Sequence, residues 1–122
     1  VRKMAGLEII RTIQFERNVK GLSKRYRSLE DDIKILMSVI AEYPEGKLPI
    51  SFRLRGYPGC YFVKVKKIRS DSFPSKGINS GFRLIYCWME GDGQIQLMEL
   101  YHKKDKELEN SDLLKKFCNE IR

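Results

Sequence analysis

One histidine, one tryptophan and three cysteines among 122 residues set the first limits on what this chain can be. A single imidazole cannot build a multi-histidine metal site, and with no Gly-x-Ser-x-Gly turn beside it a serine triad is not expected. Cys60, Cys87 and Cys118 are odd in number, far apart and free of any Cys-x-x-Cys spacing. Neither a disulfide framework nor a zinc site is therefore indicated, and all three are expected to be small buried thiols. There is no Gly-x-x-x-x-Gly-Lys phosphate loop and no Gly-x-Gly-x-x-Gly, so nucleotide cofactors have no expected seat. No run approaches the 18 or so apolar residues of a membrane span, and Val1 to Gly6 lacks the apolar stretch of a secretory signal, which places the expectation in the cytoplasm and away from membranes.

What is present is a core and an excess of cations. Hydrophobic residues make up 42% of the chain and charged residues 33%, enough for one compact domain and against disorder. That domain is expected over residues 7–122, with residues 1–6 a flexible extension. The net charge of +8 is unevenly spread. Residues 1–50 carry +3, residues 51–90 carry +6 and residues 91–122 carry −1. The central cations are Arg53, Arg55, Lys64, Lys66, Lys67, Arg69, Lys76 and Arg83, interleaved with Phe52, Tyr57, Tyr61, Phe62, Phe73, Phe82 and Tyr86. Cations neutralise phosphates and aromatic faces stack on unpaired bases, so the mixture suits a nucleic-acid surface.

Periodicity gives the element order β-α-α-β-β-β-α. Leu7 to Phe15 mixes β-branched and apolar residues as a strand does. Phe15, Val19, Leu22 and Tyr26 then fall on one helical face, and Ile33, Leu36, Met37 and Ile40 mark a second helix after a capping box of Ser28 and Asp31. The short link between them predicts an antiparallel αα-hairpin covering a sheet. Tyr61 to Lys66 alternates, with Val63 and Val65 on one face and Lys64 on the other. Ile68 falls out of phase, which a bulge at Lys66 or Lys67 would correct, turning Lys64, Lys67 and Arg69 to the face opposite the core. Ser70 to Ser80 reads as a loop. Gly81 to Met89 and Gln94 to Tyr101 read as a hairpin, and Ser111 as the N-cap of a last helix with Leu113, Leu114, Phe117 and Ile121 on its apolar side.

Four stretches, taken with this order, resemble the RelE/ParE superfamily of toxins from type II toxin–antitoxin pairs, on its RelE and HigB side. They are Leu54-Arg55-Gly56 with Cys60-Tyr61, Lys67-Ile68-Arg69, Ser80 to Tyr86 (SGFRLIY), and Leu97 to Lys104 (LMELYHKK). The resemblance implies an α+β fold, a small antiparallel sheet covered by an N-terminal αα-hairpin. It also implies a metal-independent, ribosome-dependent endoribonuclease that needs no cofactor. Implied partners are a cognate antitoxin, the ribosome with its mRNA, and operator DNA through the antitoxin complex.

The chemistry of such a reaction is independent of the resemblance. A 2′-OH attacking its adjacent phosphate needs a base, cations for the pentacoordinate phosphate and an acid for the departing 5′-oxygen. Arg83, at the family's aromatic-Arg-apolar-apolar-Tyr position, is the first candidate for the cation, since a guanidinium matches two phosphate oxygens at once. Lys67 and Arg69 match the family's Lys-x-Arg stretch, with Lys64 and Lys66 competing for the lysine's role. His102 is the candidate acid or base, and Lys103 and Lys104 stand where relatives carry a lysine and a catalytic arginine. Arg55, Lys64, Lys66, Lys76, Tyr86, Tyr101 and Lys103 are expected to bind RNA. Two other functions compete: a gyrase inhibitor of the ParE kind that acts by binding, and an inactive basic RNA-binding module.

Overall fold

A computed structural model describes residues 2–121. Strands β1 (Arg2–Met4) and β2 (Leu7–Arg11) lead into helices α1 (Ile13–Ser23) and α2 (Leu29–Glu42). Strands β3 (Ser51–Arg53), β4 (Phe62–Val65), β5 (Phe82–Met89) and β6 (Gln94–His102) follow, and helix α3 (Ser111–Ile121) closes the chain. The sheet order is β1-β2-β6-β5-β4-β3. β2 pairs parallel with β6, and the other neighbours pair antiparallel.

Both faces of the sheet are covered. On one, Phe15, Val19 and Leu22 of α1 and Ile33, Leu36, Met37 and Ile40 of α2 pack on Val63, Val65, Phe82, Leu84 and Leu97. This is the helical hairpin that the periodicity predicts. On the other face α3 sets Leu114, Phe117 and Cys118 against Phe62, Ile85, Cys87 and Met98. Strand alternation explains the division, because Phe82 and Leu84 point to the hairpin while Arg83 and Ile85 point to the α3 side.

Several local expectations differ from the structure. Residues 2–4, set outside the domain by sequence, pair with β2, and β3 is a second short edge strand whose brevity hides it from any periodicity. Helix α1 begins at Ile13, because the Thr12 hydroxyl accepts from the Phe15 amide at 3.3 Å and ends β2 early. Ser28 occupies the N-cap of α2 but makes no cap hydrogen bond, since its hydroxyl donates to Asp32 at 2.7 Å instead. In α3 the cap is Asn110, whose Oδ1 accepts from the Leu113 amide at 3.2 Å, and the inward stripe is Leu114, Phe117 and Cys118. The bulge expected at Lys66 or Lys67 is present: just beyond β4 both amides donate to the Ile50 carbonyl, two residues opposite one, and Ile68 returns to the core face. A second bulge, not expected from sequence, lies in β6, where Ile85 pairs with Glu99 and Tyr86 with Leu97, leaving Met98 as the extra residue.

The cysteines also correct the sequence reading. Cys60 and Cys118 form a disulfide with a Cα–Cα distance of 5.9 Å, and only Cys87 is a free buried thiol. Residues 58 apart in sequence are brought together by α3 crossing the sheet, a long-range event invisible to local cysteine spacing.

Candidate functional site

The end of β4, the start of β5 and the end of β6 converge at one end of the sheet. Lys66 and Lys67 leave β4, Arg83 is the second residue of β5, and the Lys103 amide donates to the Gly81 carbonyl at 2.9 Å just after β6. Their side chains line a cleft of about 290 Å³ together with Asn79 and Gly81. The lining holds four cations and no carboxylate. A concave surface of one sign focuses its field and raises the local concentration of anions.

Arg83 is held within this cleft by its backbone neighbours. Its Nη1 donates to the Lys66 and Phe82 carbonyls at 3.2 Å each, and among the described residues no carboxylate pairs with it. The guanidinium is thus oriented through one nitrogen and keeps Nη2 and Nε to offer to an anion. Lys67 Nζ donates to Asn79 Oδ1 at 2.9 Å, a contact that fixes the lysine without neutralising it. Gly81 closes the floor: its φ is +98°, and a Cβ there would lie 2.6 Å from His102 Nε2. Asn79 and Gly81 are the site residues that sequence reasoning passed over. The Gly81-Phe82-Arg83 stretch carries a signal for the glycine, whereas nothing local marks Asn79.

The long loop forms the outer wall. Asp32, buried on α2, accepts from the Ser70 hydroxyl at 2.6 Å and the Asp71 amide at 3.1 Å, besides Ser28. Phe73 and Tyr26 stack on the His102 ring at 5.1 and 5.7 Å, with Phe82 edge-on at 5.0 Å. These contacts pin the loop to the hairpin and so place Asn79 opposite Arg83.

Other candidates fall elsewhere. His102 is fully buried on the hairpin side of the sheet, 0% exposed. Its Nε2 donates to the Ser80 carbonyl at 2.9 Å while Nδ1 accepts from the Lys104 amide at 3.1 Å. Both nitrogens are spent in the neutral tautomer, and burial above all holds the imidazole pKa below its ordinary value. Tyr86, 1% exposed, faces the same side and donates to the Pro44 carbonyl at 2.8 Å. Lys104 is exposed with its ammonium 5.4 Å from the Phe73 ring centroid, and Arg69 and Lys76 are exposed on the long loop. Arg55 belongs to a separate cleft of about 410 Å³ with Arg53 and Tyr57.

Lys64 and Tyr101 share the face of Arg83 but lie under the segment that leads into α3. Lys64 Nζ donates to Glu109 at 2.9 Å, with the lysine only 7% exposed. Burial opposes its charge, yet Tyr101 and Glu109 prevail and hold its pKa above the ordinary lysine value. Beside it the buried Glu99 carboxylate accepts from Lys106 and from the Asn110 amide. Glu99 and Glu109 are thus further residues of this face that sequence reasoning missed. Among the described residues no group of three or more His, Cys, Asp or Glu side chains could hold a metal, and no helix is long and apolar enough to cross a membrane.

Fold and cleft together define a small α+β protein with an anion-attracting end. No family model matches the chain, and no curated protein is significantly similar to it. Among solved structures, the Escherichia coli RelE toxin crystallised alone is 20% identical, covering 95% of this chain and 99% of that one, with a TM-score of 0.47. A mutant of the same toxin, in complex with a peptide of its antitoxin RelB, is 21% identical over 93% of this chain and 95% of that one, with a TM-score of 0.50. The second likeness gives the chain a RelE-like fold.

Proposed function

We propose that the chain is the toxin of a toxin–antitoxin pair and cuts mRNA on the ribosome without a metal. One observation carries the proposal: Arg83, unpaired with any carboxylate among the described residues, faces a 290 Å³ cleft with Lys66, Lys67 and Lys103. A pentacoordinate phosphate carries more charge than the diester it forms from, so oriented cations stabilise the transition state over the ground state. In this reading the Arg83 guanidinium holds the non-bridging oxygens. The 2′-oxygen bonds to phosphorus as its proton passes to a base, and the 5′-oxygen departs with a proton, leaving a 2′,3′-cyclic phosphate. Lys66, Lys67 and Lys103 are the groups near enough to the cleft to take part. Lys104 and Arg69 serve beside it as contacts to flanking phosphates, and Arg55 and Lys76 extend the cationic surface.

The proposed partner is an acidic antitoxin, which a +8 chain would attract. The solved relative that carries an antitoxin peptide supports a partner of this kind. An in vitro translation reaction with the purified chain tests the reading. Cut messenger is expected, with DNA supercoiling by gyrase unchanged in a parallel reaction. Intact messenger with arrested supercoiling would favour the binding-inhibitor function instead.

A further inference from the structure

Helix α3 is attached to the rest of the molecule by side chains alone. Among the described residues no backbone hydrogen bond joins it to the sheet, and residues 103–110 reach it as irregular chain. At 11 residues it is too short to persist as a helix once detached. What holds it is the packing of Leu114, Phe117 and Cys118, the Lys64–Glu109 and Lys106–Glu99 ion pairs, and one covalent bond, Cys60–Cys118. That bond fixes the helix near its end, where the sulfur of Cys118 also lies 3.4 Å from the Pro58 carbonyl.

Both cysteines are only 4% exposed, but one of them borders open space. Cys60 lines two open clefts, of about 410 and about 300 Å³. Arg53 and Arg55 line the larger cleft with no carboxylate beside them, so a thiolate approaching there meets positive charge, whereas Asp92 offsets Arg53 in the smaller one. Cys87 also borders the smaller cleft, but it is a free thiol, 1% exposed, and burial pushes it up to about 11. A free thiol has no S–S bond to exchange, so among the described residues Cys60–Cys118 is the sulfur pair that a thiolate can attack.

We propose that Cys60–Cys118 is a redox clasp: oxidised, it keeps α3 and residues 103–110 over Lys64 and Tyr101, and reduced by a small anionic thiol it lets them lift. The exchange balances. A thiolate attacks Sγ of Cys60, forming a mixed disulfide and expelling Cys118 as a thiolate that takes up a proton. A second thiol resolves the mixed disulfide, so two electrons and two protons pass to the cysteines and the reductant leaves as its own disulfide. Lifting the segment removes Glu109 from Lys64 and adds an ammonium and an aromatic ring to the face that carries Arg83. That the exposed face then takes single-stranded RNA rests on the function proposed above, whereas the clasp itself does not.

The test uses the full chain, air-oxidised or reduced with glutathione, followed by hydrogen exchange and by amine acylation read by mass spectrometry. Denatured without reductant, the oxidised chain should yield a single free thiol, and after reduction all three cysteines should react. Reduction should speed exchange of the Leu114 to Glu120 amides by about tenfold or more and raise Lys64 acylation several-fold, with β5 and β6 still protected. The variant Cys118→Ser should behave as reduced chain whatever the redox state. Three free thiols in the oxidised chain, unchanged α3 exchange on reduction, or loss of protection in β5 and β6 as well would each overturn the clasp. Affinity for a fluorescent single-stranded RNA, measured on the same samples, separates the two ideas. If α3 lifts and RNA affinity does not rise, the clasp stands and the RNA reading of this face fails.

Discussion

Replacing Glu109 by alanine leaves the Lys64 ammonium on β4 with no counter-charge. The pair spans 2.9 Å, with side-chain exposures of 8% for the lysine and 15% for the glutamate. Their gross attraction at an effective dielectric of about 20 is roughly 6 kcal/mol, most of it cancelled by desolvation. Removing one partner of a buried pair costs about 3–5 kcal/mol, and the partial exposure of Glu109 puts Glu109→Ala near the low end, about 3 kcal/mol. The reverse deletion is gentler. Lys64→Met strands a carboxylate on irregular chain, which can turn to water, so the expected cost is about 1 kcal/mol. The double variant should cost about 2 kcal/mol in all, against about 4 for the two single losses together, giving a coupling energy of about 2 kcal/mol. Urea unfolding of the oxidised chain at pH 7 with a common slope measures all three. Because the Lys64 pKa is raised, this contribution persists up to the ordinary value of 10.5 and is lost only as pH climbs through the raised one. Equal costs for the two single variants, or a coupling below about 0.5 kcal/mol, would refute the reasoning.

Three further outcomes follow from the cleft and its wall. Gly81→Ala forces a Cβ at φ +98° to within 2.6 Å of the His102 ring, so stability should fall by about 2–4 kcal/mol in urea, and a loss under about 0.5 would mean the ring yields freely. His102 has a lowered pKa, so its contribution is full above the ordinary value of 6.5 and drains as pH falls toward the lowered one. The urea midpoint should therefore drop below pH 6.5 more steeply in the parent than in His102→Phe, and identical slopes would contradict the neutral tautomer. Asp32→Ala removes acceptors for Ser28, Ser70 and the Asp71 amide and should cost about 3 kcal/mol, with faster hydrogen exchange over residues 70–80. Unchanged exchange in that loop would show that Phe73 alone anchors it.

The helical hairpin was legible because Phe15, Val19, Leu22, Ile33, Leu36, Met37 and Ile40 repeat at helical spacing and all are buried. The long strands β5 and β6 were legible as an apolar run and its partner on either side of the Gly91-Asp92-Gly93 turn, and the short β4 by its alternation. Arg83 was legible through the resemblance carried by Ser80 to Tyr86, where it holds the arginine position of the aromatic-Arg-apolar-apolar-Tyr stretch. What stayed hidden depends on contacts far apart in sequence. Neighbouring strand residues part across the sheet in any case, but the bulge at Met98 decides which way, turning Tyr101 toward Lys64 and His102 toward Phe82. Lys64 alternates correctly, yet its solvent face is covered by Glu109, which no local pattern links to it. The disulfide likewise joins two cysteines whose proximity exists only once α3 has crossed the sheet.

Cleavage by Arg83 variants on ribosomes programmed with a defined messenger tests the central claim most directly. The account predicts that Arg83→Ala keeps the fold and most ribosome binding while the cleavage rate drops by about two to three orders of magnitude, with Arg83→Lys recovering only part, since charge returns without the two-pronged guanidinium. The parent's upstream fragments should end in 2′,3′-cyclic phosphate. A folded Arg83→Ala chain that cuts within a few-fold of the parent would contradict the assignment of Arg83 and of the cleft around it.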